Sequence, residues 1–91
     1  MVRIDSICEF VQDGDTFRTT GQAWIRLARV SAPKAGTLAW GVAKMELSGL
    51  ILSKAIAYES AATDDSGRVV AEVWTGDVNV NDHMRAQGYA E

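Results

Sequence analysis

Few side chains in this 91-residue chain can take part in chemistry, and most of them are charged groups beside turns. Asp15 directly follows Asp13-Gly14 and offers carboxylate oxygens to a cation. Arg26 and Arg68 carry planar guanidinium forks that fit phosphate oxygens two at a time. Ser31 and Lys34 stand in the short run Ser31-Ala32-Pro33-Lys34. A serine hydroxyl is a neutral ligand, and an exposed lysine, with a reference pKa of about 10.4, takes no proton from water at neutral pH. Trp24, Trp40 and Trp74 have flat faces on which bases stack, although core or interface positions are the favoured reading in so small a domain. His83 is read as a solvated residue of the last helix. Cys8 is the only cysteine; it sits in an apolar run as a buried, inert thiol with no intrachain partner.

The elements that must hold these residues follow from hydrophobic period and turn signals. Ile4 to Val11 mixes β-branched and aromatic residues and ends at Asp13-Gly14, a strong hairpin signal. Thr16 to Thr20 is the second strand, Gly21-Gln22 a turn, and Ala23 to Val30 a third strand closed by Pro33. The period then changes. Leu38, Val42, Met45 and Leu52 recur at helical steps, with Ala39, Ala43, Leu47 and Leu50 beside them, which predicts a helix over Thr37 to Ser53. Thr37 is its N-cap, and Gly41 and Gly49 each weaken it by roughly 1 kcal/mol relative to alanine. Ala55 to Ser60 returns to strand, Ala61 to Gly67 is a polar loop, and Val69 to Trp74 is the fifth strand. After the turn Thr75-Gly76-Asp77, Asn81 caps a short helix, Asp82 to Gln87, that stops at Gly88. The order βββ-α-ββ-α suits a mainly β, α+β fold: a five-stranded Greek-key barrel of the OB type with two helices, in one domain over residues 1–91.

Composition narrows the function classes. A hydrophobic share of 47% with 23% charged residues is that of a globular domain, and a net charge of −3 gives no overall attraction to a polyanion. Any contact with nucleic acid must therefore be local, and the acidic stretch Glu59 to Asp65 is read as a solvated loop that repels it. No apolar stretch is long enough to span a bilayer and no signal peptide is seen, so a cytoplasmic protein without membrane contact is expected.

Four segments resemble the thermonuclease-like (staphylococcal nuclease) domain family in order and spacing. They are Asp13-Gly14-Asp15-Thr16-Phe17, Ile25-Arg26-Leu27 leading to Ala32-Pro33, the Asp-x-x-Gly-Arg loop Asp64 to Arg68, and Val80-Asn81 through Gly88-Tyr89-Ala90. The resemblance implies hydrolysis of DNA and RNA phosphodiesters with calcium. In that chemistry two aspartates hold the ion, a glutamate is the general base and two arginines hold the phosphate. It places Asp15 at the first metal position and Arg26 and Arg68 at the two arginines. Ser31 falls where the second aspartate belongs and Lys34 where the glutamate belongs. Asp65 and Ser66 stand where the family has aromatic and basic substrate contacts.

With both carboxylates replaced, the expectation is a domain that has lost the hydrolase activity and needs no metal cofactor. Arg26, Lys34 and Arg68 around Asp15 then form a pocket of local positive charge, suited to a phosphate-containing ligand or single-stranded nucleic acid. Three readings compete with it. In one, the arginines are structural tethers of Asp15 or Asp13. In another, Asp13, or Glu91 of a neighbouring chain, replaces the lost acids and nuclease activity survives. In the third, the domain serves oligomerisation alone. Family members continue beyond Gly-Tyr-Ala, so the shorter end at Glu91 predicts exposed apolar surface, covered by a second copy or a protein partner, with Trp40 or Trp74 in the contact.

Overall fold

Strands rich in Ile, Val, Phe and Thr pair locally first. The computed structural model, which describes residues 2–91, opens on β1 (Ile4–Asp13), β2 (Thr16–Thr19) and β3 (Trp24–Leu27), paired antiparallel in sequence. Helix α1 (Leu38–Ile51) follows, then β4 (Ala55–Thr63), β5 (Val69–Thr75) and a short β6 (Val78–Asn79). The described chain ends in α2 (Val80–Met84), which widens into a π-type turn over Arg85–Tyr89. The sheet order is β3-β2-β1-β4-β5-β6, and a parallel pairing of β3 with β5, Ile25 opposite Val69 to Leu27 opposite Ala71, closes β1 to β5 into a barrel. β1 can serve both β2 and β4 because its register with β2 slips between Cys8 and Phe10 and again between Val11 and Asp13. Such slips bend a strand. The result is the mainly β five-stranded barrel with two helices that the element order predicts.

Phe17, Ile25, Leu27 and Val73 fill the barrel, Leu47 and Ile51 of α1 plug one side, and Val80 and Met84 of α2 another. Cys8 is fully buried among them, and burial pushes its thiol up to about 11, helped by the Glu9 charge and opposed by its bond to the Phe10 carbonyl. No helix is long and apolar enough to cross a membrane among the described residues.

The structure corrects several local expectations. β3 stops at Leu27 because Arg29 turns the chain at φ 56°, and Val30 rejoins only through one bridge to Ala90. β4 runs on to Thr63, so most of the acidic stretch is paired strand: Glu59 lies opposite Glu72, and Thr63 opposite Val69. Asn79, not Asn81, caps α2, its side chain accepting from the Asp82 N–H. His83 is not free in solvent, since its Nε2 lies 2.7 Å from Glu46 Oε1 and ties α2 to α1. None of the three tryptophans enters the core. Trp24 meets Phe10 edge-on at 6.2 Å, Trp40 donates to Asp13 at 2.6 Å, and Trp74 lies beneath the Arg3 guanidinium at 3.7 Å.

The largest correction concerns which side of α1 faces inward. Thr37 caps it as predicted, accepting from the Trp40 N–H. Yet Leu38, Val42 and Met45 are 89%, 58% and 76% exposed, while Ala43, Leu47 and Ile51 are buried. The helix is aliphatic on both sides, so period alone cannot orient it. The Asp13-Gly14 turn does. A Cβ on Gly14 would sit 2.7 Å from the Ala43 Cβ and 3.0 Å from that of Ala32, a fit open only to the alanine side of the helix.

Candidate functional site

The hairpin turn that docks on Ala43 also aims Asp15 inward. Its carboxylate is fully buried. Oδ1 accepts from the Thr16 hydroxyl at 2.9 Å and Oδ2 from the Ala32 N–H at 3.1 Å. Burying a carboxylate is costly unless it is bonded and balanced, and two cations supply the balance. Lys34 Nζ lies 3.6 Å and Arg26 Nη2 3.9 Å from Oδ2. Asp15 thus ties the β1–β2 turn to the segment after β3.

Arg26 is shaped by the turn at Ala28-Arg29, which folds the Val30 carbonyl back to accept from its Nη2 at 3.1 Å. The same nitrogen lies 3.5 Å from Glu91 of the same chain. Arg68 is held from its own loop. Its Nε donates to Asp64 Oδ2 at 2.7 Å, while Asp64 Oδ1 accepts the N–H groups of Ser66 and Arg68. Its Nη1 reaches the Thr16 hydroxyl at 3.4 Å. Arg68, Thr16, Asp15, Arg26 and Lys34 therefore form one connected network at one end of the barrel. Ser31 borders it, exposed, with its N–H bonded to the Tyr89 carbonyl at 2.8 Å.

The network also departs from the expected local positive charge. Asp15, Asp64 and Glu91 face Arg26, Lys34 and Arg68, one acid for each base. The tether partner of Arg68 is Asp64, and Asp13 is turned to other work, held by Trp40 and Gln12 and only 7% exposed. Sequence reasoning missed Thr16 and the roles of Asp64 and own-chain Glu91. Only Asp64 left a signal, its four-residue spacing from Arg68.

Calcium wants about six to eight oxygens. Here the single buried carboxylate already accepts on both oxygens and has an ammonium 3.6 Å away. Among the described residues no group of three or more acidic, histidine or cysteine side chains gathers to hold a metal. These donors do not fit the ion.

Asp64 gives the site a pH dependence. Burial opposes its ionisation, but the Arg68 N–H, the Arg68 guanidinium and the Ser66 N–H outweigh it and hold the carboxyl below its ordinary 3.8. A depressed acid stabilises the fold at pH values above the unfolded value and stops doing so as pH falls through the folded one. Acid titration of Asp64→Asn, followed by tryptophan fluorescence, is expected to show a shallower loss of stability below about pH 4 than the parent. Parallel acid limbs would contradict this role for the clasp.

The closed five-stranded barrel with its two helices defines a domain of the OB type. The Staphylococcal nuclease homologue family matches residues 24–91, from β3 to the end of the chain, and the chain belongs to this family. No curated protein matches it. The segment carrying Asp15 lies ahead of the matched span, so its place in the site rests on the geometry described above.

Proposed function

We propose that this member of the family holds a phosphate-bearing ligand, single-stranded nucleic acid in the first instance, and does not hydrolyse phosphodiesters with calcium. One observation carries the reading: Lys34 Nζ and Arg26 Nη2 converge on a single oxygen of Asp15, which is itself bonded to the Ala32 N–H. An ammonium there repels a divalent cation and has no lone pair with which to take a proton from water. The Lys34 side chain is 69% exposed and can turn from Asp15 toward an anion, with Arg26 at its side. Glu91 is 56% exposed and can swing away from Arg26 when a phosphate arrives. Arg68 contributes less, being clasped by Asp64.

The test uses a short fluorescent single-stranded oligonucleotide at low salt, with inorganic phosphate as competitor. Lys34→Ala and Arg26→Ala are each expected to weaken binding by about tenfold, the worth of one charged hydrogen bond. Lys34→Ala is the cleaner variant because its side chain is exposed. Unchanged affinity in both variants, or cleavage of the oligonucleotide with calcium but not with chelator, overturns the proposal.

A further inference from the structure

The outward face of α1 has a pattern that the isolated fold does not use. Leu38, Val42, Met45 and Gly49 follow one another at steps of four, three and four, and are exposed along one line of the helix. This is the spacing of a coiled-coil seam, the stripe one helix presents to another. The helix's charged side chains point elsewhere: Lys44 lies over the Phe10 and Trp40 rings, and Glu46 meets His83. An uncharged seam offers nothing to an anionic partner such as nucleic acid.

Two glycines supply an independent observation. Gly41 and Gly49 sit inside α1, where glycine disfavours helix, and a Cβ built on either meets nothing within 4 Å. The monomer gives no reason for either. Both stand four residues from Met45, one on each side, and Leu38 and Leu52 stand seven residues from it. The segment therefore reads nearly the same in both directions: Leu-x-x-Gly-x-x-x-Met-x-x-x-Gly-x-x-Leu. A two-fold axis at Met45 sets Leu38 against the partner's Leu52, and Val42 beside the gap at the partner's Gly49. Gly41 then faces the partner's Gly49, and the two missing side chains leave a groove that the neighbouring Val42 can enter.

We propose that α1 is a self-association surface, on which a second copy of this chain packs its own α1 antiparallel about a two-fold axis at Met45. This surface is separate from the Asp15 network. A 14-residue helix is roughly 21 Å long and about 10 Å wide. Its seam is well short of the roughly 800 Å² per partner of a standard interface. The dimer is accordingly weak and concentration-dependent, forming in the high-micromolar range.

Sedimentation equilibrium across low to high micromolar protein provides the test. The parent is expected to rise from 9.8 kDa toward twice that mass, whereas Met45→Glu stays at the monomer mass throughout and keeps its fold because the site is exposed. Gly49→Ala separates the role of the glycine from simple helix preference. It is expected to raise the melting temperature measured at low concentration by several degrees, yet to weaken association several-fold because its methyl holds the helices apart. A parent that stays monomeric at all concentrations, a Met45→Glu variant that dimerises like it, or a Gly49→Ala variant that associates at least as tightly as the parent overturns the proposal.

Discussion

Asn81→Leu is expected to destabilise the fold by about 2–5 kcal/mol, because one buried side chain serves three backbone groups. Asn81 is fully buried. Its Oδ1 accepts from the Val73 N–H at 2.9 Å, and its Nδ2 donates to the carbonyls of Ala71 at 3.0 Å and Ala28 at 3.1 Å. The two carbonyls keep other donors, Ala71 from the Ala28 N–H and Ala28 from Arg85. The Val73 N–H loses its acceptor in a dry interior, and that loss dominates. A domain of this size has on the order of 5–14 kcal/mol in total, so the variant sits near the edge of folding. Asn81→Asp sharpens the case. It keeps the acceptor for Val73 but sets a charge beside two carbonyls and Glu72, whose Oε2 now receives an Nδ2 hydrogen at 3.2 Å. Its deficit is expected to exceed that of leucine at neutral pH and to shrink in mild acid, as the new carboxyl protonates. Urea unfolding followed by tryptophan fluorescence measures both. A loss below about 1 kcal/mol for leucine would mean that the Val73 N–H finds another partner.

Asn81 also shows where sequence reading stops. An asparagine just ahead of a short helix has the signature of an N-cap, and Asn79 carries the same signature two residues earlier. Only the closure of β3 against β5, a pairing of distant segments, leaves backbone groups of Ala28, Ala71 and Val73 for an amide to bridge. Local signals fared better. The Asp13-Gly14 hairpin, the Thr37 cap and the turn at Gly88, which has φ 102°, all depend on neighbours in sequence and all appear in the structure. Elements whose limits are set by distant partners were misjudged. β4 outruns its expected end because β5 offers it a pairing edge, and the face of α1 is chosen by Gly14, far away in the chain.

The candidate site divides along the same line. The structure joins Asp15, Arg26, Lys34 and Arg68 at one end of the barrel, a grouping that the family resemblance implies and that no periodicity or spacing gives by itself. How their charges balance was not legible. Asp64 and Glu91 reach Arg68 and Arg26 only through loop closure and the meeting of chain end with β3, and they turn an expected excess of positive charge into near balance. The Thr16 hydroxyl, joining Asp15 to Arg68, reads in sequence as an ordinary strand threonine.

The double variant Ser31→Asp, Lys34→Glu is expected to bind calcium, and the parent to show no such binding. Two changes act together: the ammonium 3.6 Å from Asp15 Oδ2 is removed, and two carboxylates enter at its rim. Without calcium the variant is less stable than the parent, because the two new acids join Asp15 and Glu91 around Arg26. With calcium at a hundredfold excess over its dissociation constant, the gain is about 2.7 kcal/mol, a rise of roughly 10–20 °C in melting temperature. The parent is expected to show no such rise under the same ions, with magnesium as the size control, since the larger and more flexible oxygen shell belongs to calcium. Each single variant discriminates further. Lys34→Glu alone removes the repelling charge and supplies one ligand, so it should bind weakly, whereas Ser31→Asp alone keeps the ammonium and should not bind. If the double variant melts at the same temperature with and without millimolar calcium, then Ser31 and Lys34 do not border a latent metal position. The chemistry of this end of the barrel would then have to be explained from Arg26, Arg68 and their carboxylate partners alone.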